Sequence, residues 1–135
     1  MDLQKTLAIS AGGMQAQTTR LTVIAQNLAN QDSTGSTPGA DPYRRKTISF
    51  TDRMDRALGT EVVAVRNIGT DPSDFQRRFE PANPAADAQG YVKLPNVNPL
   101  VEMMDMRDAE RSYQANLSVM QTTREMLTRT IGMLR

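Results

Sequence analysis

The distribution of proline constrains the fold of this chain more than any other feature. All seven prolines lie between positions 38 and 99 of the 135 residues, and both flanking arms are free of proline. Proline removes a backbone donor and clashes with the preceding turn of a helix, so long helices are confined to the arms. We therefore predict an N-terminal amphipathic helix over residues 1–30, a middle segment over residues 31–99 and a C-terminal amphipathic helix over residues 100–135.

The first arm carries an apolar stripe of the coiled-coil type. Its apolar residues occupy the two seam positions of a seven-residue repeat, and they are Leu3, Leu7, Met14, Leu21, Ile24 and Leu28. The pair Gly12-Gly13 dilutes this stripe, because glycine costs up to about 1 kcal/mol relative to alanine inside a helix. Packing against other segments must therefore stabilise this arm.

The second arm has a cleaner repeat, with steps that alternate between three and four residues. Its apolar seam positions are Met103, Met106, Tyr113, Leu117, Met120, Leu127, Ile131 and Leu134. Glu110 and Arg124 occupy the same seam, where a charge either weakens a coil or fixes its register by pairing. Six of the nine methionines lie in this arm. They indicate either ordinary seam packing or an adaptable groove for partner helices.

The middle segment contains short β-like runs separated by glycine, proline and aspartate. These runs cover residues 43–50, 61–68, 75–80 and 90–94. We predict short strands or a hairpin here, and a connecting loop over residues 31–42. The predicted fold class is thus mainly α, with a small β-rich middle between two long terminal helices.

Composition removes several function classes. The chain has no histidine and no cysteine, which excludes imidazole bases, thiolate nucleophiles and the usual zinc sites. Its 16 basic residues balance 15 acidic ones, a ratio that argues against nucleic-acid binding. Leu, Ile, Val and Phe make up only about a fifth of the chain, which indicates an underfilled core that partners complete.

Each polar cluster in the middle segment has two interpretations, a functional site or an ordinary structural role. Asp71, Asp74, Glu80 and Asp87 are suitable for a hard-metal or acid/base site, but they lack the regular spacing of a calcium loop, and ordinary turn residues are the better interpretation. The basic run 44–46 could contact phosphate, but a solvated strand edge is the better interpretation. We predict no catalytic residue, no cofactor site and no metal site.

Two motifs at opposite ends of the chain resemble a known family. The segment 10–17, the segment 20–30 and Thr34-Gly35 resemble the amino-terminal signature of bacterial flagellar axial proteins, the rod and hook family. Residues 96–116 resemble the carboxyl-terminal signature of the rod members. The residues that carry the resemblance are Asn27, Leu28, Ala29, Asn30, Asn96, Asn98, Glu102, Met103, Asp105, Met106, Arg111, Tyr113, Ala115 and Asn116.

The length of the chain and its middle segment narrow the resemblance to one group within this family. Residues 42–46, 87–92 and 95–98 are similar to those of the proximal-rod subunits, and distal-rod and hook members are much longer. The chain departs from the family at Gly12-Gly13, where the family commonly has a single glycine beside a small residue. It also departs slightly in the loop over residues 30–34.

The resemblance implies a structural subunit of the proximal rod of the basal body, not an enzyme. It implies that the arms pair as an antiparallel coiled-coil hairpin, forming one helical domain, and that the apolar stripes are assembly interfaces. The expected partners are other rod subunits (FlgB, FlgF and further copies of itself), the adaptor FliE, the motor (MS) ring and the flagellar type III export machinery. No nucleic acid and no small-molecule substrate is expected.

The resemblance also implies a location and a mechanical role. The subunit would be made in the cytoplasm, exported without a cleaved signal peptide and built into a rod that spans the periplasm, where it transmits torque from motor ring to hook. The absence of a secretory h-region in the first residues agrees with this expectation. A soluble helical adaptor or export chaperone is the alternative, but it explains the helices without explaining the two motifs. A carboxylate-dependent hydrolase has only scattered acidic residues in its favour.

Overall fold

A computed structural model describes residues 2–135. The elements in chain order are α1 (Leu3–Ala29), β1 (Lys46–Asp55), β2 (Thr60–Thr70), β3 (Gln76–Phe79), β4 (Tyr91–Leu94) and α2 (Pro99–Met133). Two terminal helices with a small antiparallel β region between them are therefore confirmed. No helix in the described part of the chain is long and apolar enough to cross a membrane.

Side chains that accept hydrogen bonds from free backbone N–H groups begin both helices. The Asp2 carboxylate accepts hydrogen bonds from the amides of Gln4 (3.0 Å) and Lys5 (3.3 Å) at the start of α1. The Asn98 side-chain oxygen accepts one from the Leu100 amide (3.1 Å), and Pro99 takes the first helical position of α2. These are the preferred residue types for each place, because the first turn of a helix leaves N–H groups without intrahelical partners.

Each β pair is a separate two-stranded sheet. Strands β1 and β2 are joined by a turn in which Gly59 has φ of 61°, and its amide donates to the Asp55 carbonyl at 2.8 Å. Strands β3 and β4 are antiparallel, with Gln76 opposite Leu94 and Phe79 opposite Tyr91. The predicted runs thus become strands, although β1 starts three residues later than predicted and ends at Asp55.

The chain forms two compact units. The first contains α1 up to Leu21, the segment Ile48–Asn67 and the segment Met106–Arg135. Its most buried side chains are small or polar, and they are Ser10, Ala16, Val62, Ala109 and Thr123. Small side chains let elements approach closely but bury little apolar area. The first unit therefore has few large apolar side chains in its core, as the composition predicts.

The second unit contains Thr22–Thr47 and Ile68–Asp105. Its buried apolar residues are Val23, Ile24, Ala85 and Val92. Two polar side chains, Asn27 and Glu102, are buried as deeply as Val92, with exposures of 1%, 0% and 0%. Burying a carboxylate costs free energy unless it has partners, so the contacts of Glu102 matter for the stability of this unit.

Gly12 and Gly13 lie where α1 meets its neighbours in the first unit. A Cβ atom at Gly12 would lie 3.2 Å from both the Val62 Cβ and the Val63 carbonyl oxygen of β2. A Cβ atom at Gly13 would lie 2.8 Å from the Asn116 side chain of α2. The pair therefore allows close packing on two sides of the helix, in addition to the weakening of the helix that the sequence indicates.

Helix α2 buries a slightly different row of residues from the predicted seam. Met106, Tyr113, Met120 and Leu127 are half-buried, but the second inward row consists of Glu102, Ala109, Asn116 and Thr123. Each of these precedes a predicted seam residue by one position. This phase keeps the charges of Glu110 and Arg124 in water and turns small side chains towards the core.

Candidate functional site

Residues from both terminal motifs meet in one buried polar cluster of the second unit. We call it the motif cluster, and its members are Asn27, Tyr43, Arg45, Asn96 and Glu102. Asn27 lies near the end of α1, Tyr43 and Arg45 precede β1, Asn96 follows β4, and Glu102 lies in the first turn of α2. The cluster thus joins three parts of the chain that are far apart in the sequence: the end of α1, residues 43–45 and residues 96–102.

Asn27 uses every hydrogen-bonding position of its side-chain amide. The nitrogen donates to the Lys46 carbonyl at 2.9 Å and to the Glu102 carboxylate at 3.3 Å. The oxygen accepts from the Tyr43 hydroxyl at 2.8 Å and from the Lys46 amide at 2.9 Å. Two donors and two acceptors are the full capacity of this amide, so its burial leaves no polar group without a partner.

Arg45 pairs with the buried carboxylate of Glu102. Its Nε donates to Glu102 Oε1, and its terminal nitrogens lie 3.6 Å from Asp71 Oδ2 and 3.7 Å from Asp105 Oδ2. Partial burial by itself lowers the pKa of Arg45, but the hydrogen bond to Glu102 and the three negative charges outweigh it and raise the pKa. The guanidinium therefore stays charged, as a partner for a buried carboxylate must.

Tyr43 and Asn96 complete the cluster. Burial, and secondarily the charge of Glu102, raises the pKa of the Tyr43 hydroxyl, which stays protonated as a donor to Asn27. The Asn96 oxygen accepts from the Arg45 amide at 2.8 Å, and its nitrogen donates to the Asp71 carbonyl at 3.1 Å. All five members are thus connected by hydrogen bonds.

The basic run 44–46 is not a solvated strand edge, and that expectation is wrong. Arg44 lies 4.2 Å above the ring of Phe75 and donates to the carbonyls of Asp71 (2.7 Å) and Ser73 (2.9 Å). The acceptors of this run come from segments distant in sequence. Local sequence therefore contains no signal for them.

The acidic residues of the middle segment stabilise turns. A backbone hydrogen bond from Ser73 is the main cause that lowers the pKa of Asp71, and one from Tyr91 does the same for Asp87. A side-chain hydrogen bond from Asn83 lowers the pKa of Glu80. Among residues 2–135 no group of three or more acidic side chains is arranged to hold a metal ion.

The other motif residues have varied surroundings. Asn30 ends α1 by donating to the Gln26 carbonyl at 2.8 Å and accepting from the Ser33 hydroxyl at 3.0 Å. Asn116 lies against Gly13 and donates to the Ser112 carbonyl. Asp105 is half-buried beside Arg45. Leu28, Met106 and Tyr113 are half-buried, while Ala29, Asn98, Met103, Arg111 and Ala115 are exposed.

The residues predicted to form assembly interfaces divide into three groups by burial. Ile24 is buried and the exposed group contains Met103, Ile131 and Leu134. The remaining ones are half-buried, and they are Leu3, Leu7, Met14, Leu21, Leu28, Met106, Tyr113, Leu117, Met120 and Leu127.

Helix α2 also has an exposed apolar row that lies outside the predicted seam. We call it the outer row. Its members are Leu100, Met104, Val119, Met126 and Met133, and their exposed fractions are 68%, 61%, 46%, 48% and 81%. The seven-residue spacing of Val119, Met126 and Met133 is the sequence pattern that indicates this row. The stronger repeat of the predicted seam runs along the same helix and masks this spacing.

Comparison with known proteins agrees with the resemblance of the two terminal motifs to flagellar axial proteins. Residues 88–133 match a family model described as "Flagellar basal body rod FlgEFG protein C-terminal". A "Flagellar basal-body rod protein FlgC" from Agrobacterium fabrum is 51% identical over 127 residues, which cover 94% of this chain and 91% of that protein. Proteins of the same name from Aquifex aeolicus and Bacillus subtilis are 43% and 36% identical, and the matches cover 96% and 93% of each chain. The resemblance seen in the two terminal motifs is confirmed, and the chain belongs to the FlgC family of flagellar basal-body rod proteins.

Proposed function

We propose that this chain is a structural subunit of the proximal rod of the bacterial flagellar basal body. The observation that carries the proposal is the 51% identity to a FlgC protein over nearly the whole of both chains. The buried side chains of the described residues are aliphatic groups and a few polar groups, among them Asn27 and Glu102 of the motif cluster. The role we propose is mechanical, in line with the rod proteins that this chain is similar to.

We infer that residues 1–30 and 100–135 pair as an antiparallel helical hairpin and form one helical domain. Two contacts within the first unit support this pairing. Gly13 lies against Asn116, and Leu21 lines a groove with Arg107 and Arg111. A position further along α1 thus meets a position earlier in α2. Coiled-coil packing would let the half-buried seam residues complete their burial.

We further propose that the exposed apolar residues of α2 pack against neighbouring subunits. Large exposed apolar side chains are costly in water, and several of them lie along one helix here. An open helical assembly uses heterologous contacts, in which each subunit offers different surfaces to its neighbours. The neighbours we propose are copies of this chain, FlgB, FlgF, FliE and the motor (MS) ring.

The mechanical role follows from such packing. A rod that transmits torque from motor ring to hook needs many shared contacts, because single weak contacts would yield under load. We propose that the chain reaches this place by type III export without a cleaved signal peptide, and that the rod spans the periplasm.

Substitution of the outer row tests the proposal. In a flagellated host that lacks its own FlgC and swims when given this chain, we expect Met104→Asp or Met126→Asp to abolish swimming and to remove the chain from purified basal bodies. A carboxylate buried between subunits has a large desolvation cost. Gln121→Asp, on an exposed flank of the same helix, is the matched control and should leave both readouts unchanged.

Two results would contradict the proposal. One is normal swimming with Met104→Asp and Met126→Asp built into basal bodies. The other is an unsubstituted chain that stays in the cytoplasm of swimming cells, which is the behaviour of a soluble adaptor or export chaperone.

A further inference from the structure

The motif cluster makes three distant segments depend on one another. Asn27 comes from α1, Arg45 from the segment before β1 and Glu102 from α2. All four hydrogen bonds of the Asn27 amide go to the other two segments, namely to Tyr43, Lys46 and Glu102. Glu102 is fully buried and is bonded by Asn27 and Arg45.

Removing any one segment takes at least one partner from a buried polar group of the cluster. Without α2, Arg45 loses the buried acceptor of its Nε, and Asn27 loses one acceptor. Without residues 43–46, the Glu102 carboxylate loses the guanidinium that offsets its burial. An unpaired polar or charged group inside a protein costs more than the pair contributes when formed. Partly assembled states are therefore disfavoured relative to both the open and the closed cluster.

We propose that Glu102 closes a three-way latch, by which the last turns of α1, residues 43–46 and the first turn of α2 open and close as one cooperative unit. The ion pair between Arg78 and Glu80 in the same unit lacks that property. Arg78 and Glu80 pair at 2.6 Å on the surface, and water replaces either partner when their pair opens.

The latch has a consequence for the order of folding. Residues 43–46 gain their full set of partners only when residue 102 is in place. If the chain is threaded through an export channel from its N-terminus, its middle segment closes only after the start of α2 has emerged. This last consequence rests on the proposed function, whereas the latch itself rests on the contacts alone.

Hydrogen exchange on the full chain tests the latch at three backbone amides. The Arg45 amide donates to Asn96, the Lys46 amide to Asn27, and the Glu102 amide to the Asn98 carbonyl. In the unsubstituted chain we expect all three to show the same opening free energy and the same dependence on denaturant, as amides of one cooperative unit do.

Glu102→Ala should then speed exchange at Arg45 and Lys46 by about tenfold or more, although both lie far from the substitution in sequence. Arg45 keeps Asp71 and Asp105 nearby in this variant, so its charge is not left isolated. Glu80→Gln, which removes the surface pair, is the control and should change these rates by less than about twofold.

The latch is overturned if the three amides of the unsubstituted chain open with different denaturant dependences, or if Glu102→Ala leaves Arg45 and Lys46 within about twofold of their original rates. If Glu102→Ala unfolds the chain, Glu102→Gln decides, because it keeps an acceptor oxygen for Arg45. Equal acceleration at all three amides then supports the latch, and unequal acceleration overturns it. These rates are measured on isolated protein, so a failure of rod assembly would not alter them.

Discussion

At the scale of one residue, burial and hydrogen bonding together determine which amino acid can occupy position 27. The side chain is 1% exposed, and all four of its hydrogen bonds lie inside the protein. Aspartate lacks the two donors, and an apolar residue lacks all four positions. The complete set of hydrogen-bond partners thus explains why asparagine occupies position 27 of the motif. The sequence pattern alone does not reveal these partners.

Replacement of Asn27 should be severe. We expect Asn27→Leu to lower the free energy of unfolding by roughly 3 kcal/mol, because the Tyr43 hydroxyl and both backbone groups of Lys46 lose their partners. Asn67→Leu, at an exposed position of β2, is the control and should stay within about 0.5 kcal/mol. Urea denaturation of both variants measures the difference. A loss below about 1 kcal/mol for Asn27→Leu would show that water replaces the missing partners.

The acidic turn residues give the stability a definite dependence on pH. The pKa values of Asp71, Glu80 and Asp87 are lower in the folded chain than in the unfolded one, mainly because of hydrogen bonds from Ser73, Asn83 and Tyr91. The unfolded chain therefore binds these protons more tightly. The stabilisation is complete above about pH 5 and is lost as the pH falls through about 4 and below.

We therefore expect a melting temperature that is flat from about pH 7 to 5 and falls towards pH 2. Asp87→Asn should make this fall shallower, because an asparagine oxygen can still accept hydrogen bonds from Gln89 and Tyr91 but does not titrate. Differential scanning calorimetry across this range measures both curves. An identical acid slope in the two proteins would contradict the assigned role of Asp87.

At the scale of the elements, the ends of the helices follow local rules and their packing does not. Asp2 and Asn98 begin α1 and α2 as the capping preferences predict. Gly12 and Gly13 look like defects in an amphipathic helix, but they lie against β2 and α2. A helix that must touch two neighbours closely needs positions without a side chain at the contacts.

Enlarging Gly12 tests this interpretation. We expect Gly12→Leu to lower the free energy of unfolding by about 1–3 kcal/mol, because the side chain meets the Val62 side chain and the Val63 backbone. Gly132→Leu is the matched control in α2, since a Cβ atom there meets nothing within 4 Å, and it should be neutral or slightly stabilising. Thermal and urea unfolding compare the two. Equal effects would mean that Gly12 has no packing role.

The rotational phase of α2 is also a property of packing. Periodicity places Met103, Glu110 and Arg124 on one seam, and the inward row lies one residue earlier. One residue corresponds to about 100° of rotation, so two neighbouring rows compete for the same face. The charges of Glu110 and Arg124 prefer water, whereas the fully buried charge of Glu102 meets Arg45.

At the scale of the whole molecule, near-neutral charge and exposed apolar side chains favour association. The chain has 16 basic and 15 acidic residues, so little net repulsion opposes contact between copies. Large apolar residues such as Met104 and Met133 are well exposed. Both properties favour contact between copies of the chain.

We expect the purified chain to self-associate as its concentration rises, and more strongly in ammonium sulfate, which strengthens apolar contacts. Met104→Asp combined with Met126→Asp should shift the chain towards monomer, and Gln121→Asp should not. Sedimentation velocity at several concentrations measures the mass distribution. A strictly monomeric unsubstituted chain at all concentrations would contradict this expectation.

The sequence by itself determined the architecture and the family. Proline positions limited long helices to the two arms, short runs bounded by glycine, proline and aspartate indicated the strands, and the terminal motifs indicated the family. These features are local or are read directly along the chain. Only the tertiary structure decided that Glu102 lies inside with Arg45 and Asn27, which row of α2 turns inward, and what Gly12 and Gly13 touch. An unpaired carboxylate favours water, so a glutamate is expected at the surface unless a partner is present. The partner of Glu102, Arg45, comes from a segment that no local periodicity connects to it.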